Sequence, residues 1–129
     1  MFASMKPLSP SPSPEAPYDF QERATLFAER VRALAKKVPK TLGNDQDLKQ
    51  LIRSSGSVGA NYIEAGEALS KKDALKSLRI ARKEAKESTH WLRLLEVGDI
   101  NQDSERKALS SETLALLRIL TAMIKKVEG

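Results

Sequence analysis

The stretch RSSGSVGANYIEAG, residues 53–66, limits what this chain can fold into more than any other. Its serines and glycines suggest a loop. Yet the apolar and small residues around it keep a helical phase. Leu48, Leu51, Ile52, Ser55, Val58, Gly59, Tyr62, Ile63, Gly66 and Leu69 fall on one face at about 100° per residue. Gln50, Arg53, Ser57, Asn61 and Glu64 fall on the other. A loop has no reason to hold that phase, so a helix is expected, although each glycine costs about 1 kcal/mol relative to alanine. Small side chains at Ser55, Gly59 and Gly66 would offset the cost by letting a neighbouring helix approach the backbone. A phosphate-cradling loop does not fit, because no Gly-Lys-Ser/Thr follows and no strand precedes.

The same period recurs along the chain. Asp19 and Glu22 resemble a capping box, and Phe20, Ala24, Phe27, Val31, Leu34 and Val38 follow at helical spacing up to Pro39. KTLGN is a turn, and a second helix is expected from Asn44 or Asp45. Ser70 and Asp73 signal a third start, with Ala74, Leu78, Ala81, Ala85, Ser88, Leu92 and Leu95 facing inward and Trp91 at their edge. That pattern runs to about Val97, where Gly98 ends it. GDINQDSER reads as a turn. A fourth helix, starting between residues 104 and 111, carries Leu109, Leu116, Leu117, Leu120, Met123, Ile124 and Val127. No strand candidate is visible. The expected fold is all-α, an antiparallel up-down-up-down four-helix bundle over residues 18–129. Residues 1–17 hold five of the six prolines and read as a disordered Pro/Ser-rich tail.

Composition narrows the function. A chain of 129 residues suffices for one core. The absence of cysteine leaves no disulfide framework and no thiolate metal site. No signal peptide is evident, and no apolar run approaches the roughly 20 residues of a membrane span. A soluble, cytoplasmic protein without a membrane partner is expected. The net charge of +5 favours an acidic partner such as nucleic acid. Aromatic residues make up 5% of the chain, which argues against aromatic base-stacking platforms.

The middle of the chain resembles the four-helix-bundle family of 23S rRNA intervening-sequence proteins. Arg53, Ser57, ANYIEA (residues 60–65), SKKD (70–73), KEAKES (83–88), Trp91 and Leu92 carry the likeness, and LLRILTAMIKK resembles the family's last helix. It covers most of residues 20–127. Many members place glycine directly after the glutamate of Asn-x-x-Glu; here that position is Ala65, so the chain resembles the NYIEA branch. The resemblance implies a ring-like homo-oligomer, with pentamers common in the family. It is also similar to the accessory protein of diversity-generating retroelements, which implies a reverse transcriptase and nucleic acid as possible partners.

The sharpest candidate site lies on the third helix. Lys72, Lys76, Arg79, Lys83, Lys86, His90 and Arg93 are spaced alternately four and three residues apart, forming one stripe of roughly 30 Å. Residues 70–97 hold eight Lys/Arg against four Asp/Glu, and none of those acids falls within the stripe. Such an edge could follow a phosphate backbone; a solvated polar face and an acidic protein partner are the competing readings. On the second helix, Arg53, Ser57, Asn61 and Glu64 suggest a subunit interface in which Arg53 meets a carboxylate in fork geometry, against a plain solvent-facing strip. Glu84, Glu87 and His90 include a Glu-x-x-His spacing, but a di-iron bundle needs two such motifs and the chain has one histidine. Glu87 is instead expected to pair with Lys83. No metal, cofactor or enzyme activity is expected. The first reading is a non-enzymatic oligomeric scaffold that binds RNA or DNA. The alternative is a protein-interaction adaptor, such as an accessory subunit of a reverse transcriptase.

Overall fold

The computed structural model describes residues 20–129, so the expectations for the Pro/Ser-rich tail and for an Asp19 cap lie outside the described residues. Four helices follow in order: α1 (Phe20–Ala35), α2 (Leu42–Gly66), α3 (Lys71–Leu94) and α4 (Ile100–Glu128), with no strand among the described residues. Each helix packs on the next, α4 packs on α1, and α2 with α3 forms the broadest contact.

The questioned stretch is helical throughout. Its buried side is Leu51, Ser54, Ser55, Val58, Tyr62 and Ala65. Ser54 and Ala65 join that face, whereas Ile63 is 48% exposed and Leu69, beyond the helix end, is fully exposed. What brings α2 close to α3 is a pair of serines. Ser54 Oγ and Ser88 Oγ lie 2.7 Å apart, both fully buried. One hydroxyl donates to the other, and the one that accepts turns its own proton to a carbonyl of its helix, Leu51 for Ser54 at 3.3 Å or Glu84 for Ser88 at 2.9 Å. Small polar groups can sit at a tight crossing only when satisfied in this way. Gly59 plays a lesser part than expected. A Cβ built there would meet Ala24 Cβ at 3.5 Å, an ordinary contact.

Caps explain where the expected boundaries shift. Thr41 starts α2 earlier than expected, its side chain accepting from the Asn44 amide at 3.0 Å. Ser70 caps α3 as expected, accepting from the Asp73 amide at 3.1 Å. This helix stops at Leu94, before Val97, because Asn44 claims the chain beyond it. The Asn44 side chain, 1% exposed, donates to the carbonyls of Pro39 and Glu96 and accepts from the Glu96 amide, all at 2.9 Å. The region expected as a turn contains the start of α4. Asp99 caps it, accepting from the Gln102 amide at 2.8 Å, while the Gln102 side chain accepts from the Gly98 amide at 2.6 Å.

The core is continuous across the four helices. Phe20, Phe27, Val31, Leu34, Leu51, Leu78, Leu92, Leu109, Leu116 and Leu120 are each at most 1% exposed. Burying one such side chain is worth about 1.5–3 kcal/mol. Two ion pairs join α1 to α4. Arg23 grips Glu112 through two parallel bonds of 2.7 and 3.0 Å, and Arg30 grips Glu105 at 3.2 and 3.3 Å. Among the described residues, no helix is long and apolar enough to cross a membrane.

Candidate nucleic-acid interface

The basic residues of α3 lie opposite its core face. Ala74, Leu78, Ala81, Ala85, Ser88 and Leu92 are buried, so the remaining phase must carry polar groups. Lys72, Lys76, Arg79, Lys83, Lys86, His90 and Arg93 are all exposed. Arg79 is held, its guanidinium 2.7 Å from Glu128 at the end of α4. Lys72, Lys76, Lys83, Lys86 and Arg93 form no ion pair among the described residues.

Two of the three acids of α3, Glu84 and Glu87, are turned toward α2. Glu84 is buried, with both carboxylate oxygens 3.3 Å from Arg53 Nη1. Glu87 lies 3.5 Å from Arg53 Nη2, so its partner is Arg53 and not the expected Lys83. One arginine from α2 thus engages two carboxylates from α3, and Lys83, Lys86 and Arg93 form no ion pair with either.

The four α2 residues, Arg53, Ser57, Asn61 and Glu64, follow one another along one side of the helix. The carboxylates met by Arg53 belong to its own chain. Ser57 Oγ donates to the Arg53 carbonyl at 2.8 Å, and Asn61 donates to the Ser57 carbonyl at 2.8 Å. Asn61 and Glu64 line a second groove, between α2 and α3, which also holds Ile63, Leu69 and Ile80. His90 stacks edge-on against Trp91, with ring centroids 4.8 Å apart. The described residues contain no group of three His, Cys, Asp or Glu suited to a metal ion.

The contribution of α4 was not legible from the α3 pattern. A groove of 690 Å³ runs between the two helices, with Lys83, Lys86, His90 and Arg93 on one side and Ser110, Leu114 and Leu117 on the other. A 250 Å³ extension adds Arg106 and Lys107. Asp103 occupies both of these α4 cations: Lys107 is 3.1 Å away, and Arg106 also bonds its carboxylate. Hydrogen bonds from Lys107 and then Arg106 hold the Asp103 carboxyl below the usual aspartate range. The only sequence hint of this wall is Leu114, which breaks the inward phase of α4 and is 48% exposed.

These features define an all-α protein with a cationic helix edge. The chain belongs to the family of 23S rRNA-intervening sequence proteins, whose family model matches residues 18–122. It is similar to a crystal structure from Bacteroides thetaiotaomicron, described as a protein with unknown function from the S23 ribosomal protein family. That likeness has a TM-score of 0.67 and 29% identity, covering 84% of this chain and 97% of the other. No curated protein matches the sequence.

Proposed function

We propose that the chain is a non-enzymatic, homo-oligomeric four-helix scaffold that binds nucleic acid through the basic edge of α3. The observation that carries this reading is the row of five exposed cations without an ion pair among the described residues. A bare polar face would mix signs, as ordinary i,i+4 pairs do. Here Glu84 and Glu87 are diverted to Arg53, and the five cations without an ion pair remain available for phosphate. Contacts of this kind position a strand and select sequence weakly.

The opposed numbering of interhelical pairs supports an antiparallel, up-down-up-down arrangement. Phe20 meets Tyr62, Arg53 meets Glu84, and Thr89 meets Thr113. Arg82 meets Thr121, Arg23 meets Glu112, and Arg30 meets Glu105. A ring-like assembly, five subunits being what the resemblance implies, would repeat the cationic edge and add its fields. The cytoplasm is the proposed location.

A salt titration tests the binding. Affinity for a nucleic-acid strand should fall linearly in log salt, by about 0.7 per phosphate neutralised for a single strand and about 0.9 for a duplex. The Lys76→Glu/Lys83→Glu variant should lose binding while its solution mass stays that of the parent. Unchanged affinity in that variant would retire the reading. The adaptor reading has its own support in the exposed Ile63 and Leu69 beside the α2/α3 groove. It predicts protein capture that survives the same double reversal.

A further inference from the structure

The stripe is not uniform, and its halves differ in what lies beside them. Arg79, near its middle, is tied to Glu128. On the N-terminal side, Lys76 shares its groove with Glu64, Glu67 and Asp73. On the C-terminal side, Lys83, Lys86 and Arg93 overlook the α3/α4 groove, where Leu114 and Leu117 are the large apolar residues and the one acid, Glu87, is paired with Arg53. Resting on the nucleic-acid reading above, we propose that this groove is a binding site for one unpaired RNA strand. Phosphates sit on Lys83, Lys86 and Arg93, and a base lies against Leu114 and Leu117.

Size argues for one strand. Packed helices have axes about 8–10 Å apart, whereas the major groove of B-DNA alone is about 12 Å wide, and A-form RNA presents a wide, shallow minor groove. A duplex would ride on the ridges and never reach the leucines. A single strand can lie between the ridges, with the apolar face of a base turned to the floor. With 5% aromatic residues in the chain, aliphatic side chains provide that floor in place of a stacking platform. From Lys83 to Arg93 the cations extend about 15 Å along the axis, enough for a short run of backbone.

The groove fits an acidic helix less well. Helix-in-groove recognition uses a row of anchors at i, i+3, i+4 and i+7, and this floor offers two leucines one turn apart. The sugar is addressed by Ser110, which borders the groove and its extension and whose Oγ bonds to no described residue. That hydroxyl can donate to or accept from a ribose 2′-OH. Its neighbour Thr113 is already engaged, with Thr89 and with the Ser110 carbonyl.

The test is a fluorescence-anisotropy titration of the full chain. The probes are a labelled 12-nucleotide RNA of mixed sequence, the same sequence as DNA, and the blunt RNA duplex, each over a range of salt. The RNA strand should bind at least fivefold tighter than the duplex and at least twofold tighter than the DNA. Lys83→Ala/Lys86→Ala should lower the salt slope by about 1.4, that is about 0.7 for each phosphate released. Lys72→Ala/Lys76→Ala, on the flank that carries Glu64, Glu67 and Asp73, should lower it by less than half as much. Leu114→Ser should weaken the RNA strand severalfold at constant slope, with the melting temperature confirming that the variant is folded. Duplex binding as tight as the strand, with both lysine pairs contributing equally to the slope, would overturn the groove and keep the wider reading. DNA binding equal to RNA would overturn the ribose contact. Displacement of the RNA by polyglutamate at equal charge would reassign the groove to an acidic protein segment. No binding of any probe would end the nucleic-acid reading and this inference together.

Discussion

Single side chains carry most of the specificity in this fold. The Asn44 side-chain amide bonds to Pro39 and Glu96 through both its nitrogen and its oxygen and so fixes two chain reversals at one end. In the sequence it looks like a helix-start residue; its partner 52 positions away is invisible there. Arg53 has the same character. Its family-like position is legible, but its engagement with Glu84 and Glu87 depends on α3 lying alongside. Gly59 is the opposite case, a position where the expected constraint is absent. A methyl group there would make ordinary contact with Ala24. Gly59→Ala is therefore expected to stabilise the protein, by up to about 1 kcal/mol from helix propensity. A urea melt checks this, and a loss of more than about 1 kcal/mol, the scale of overpacking, would show that the helices cannot give way.

At the scale of the helix, one apolar stripe per element accounts for burial, and ion pairs fix which stripes meet. The Arg23–Glu112 pair is the clearest instance, with side-chain exposures of 12% and 18%. Arg23→Ala leaves Glu112 partly desolvated without its partner and is expected to cost on the order of 3 kcal/mol. The double replacement Arg23→Met/Glu112→Leu should recover most of that loss, because the desolvation penalty disappears with the charges. Chemical denaturation of the two variants provides the comparison. Equal loss in both would assign the pair a packing role only. Boundaries are also an element-scale matter. Thr41 and Asp99 are good caps by chemistry, and Asp99 with Gln102 has capping-box spacing. The apolar period alone missed these starts, because the first turns of α2 and α4 expose Leu42 (81%) and Ile100 (74%) and so break the stripe.

Over the whole molecule, the proposed assembly would decide how the cationic edge is used. Light scattering is expected to give a mass several times the 14.3 kDa of one chain, unchanged in Lys76→Glu/Lys83→Glu. A monomer would leave a single short edge and remove the argument for summed fields. The sequence by itself determined the all-α character, the helical state of residues 53–66, most of the core and the exposure of the α3 stripe. These follow from a period of 3.6 residues, which relates each residue to neighbours within its own helix. The tertiary structure alone decided that Arg53 takes up Glu84 and Glu87, that Glu128 holds Arg79, and that Leu114 and Ser110 face Lys83 and Arg93 across a groove. Those relations join residues tens of positions apart, and the rotation of one helix about its axis relative to the next sets them. Local periodicity fixes which side of a helix is apolar; the packing of whole helices fixes what stands opposite the rest.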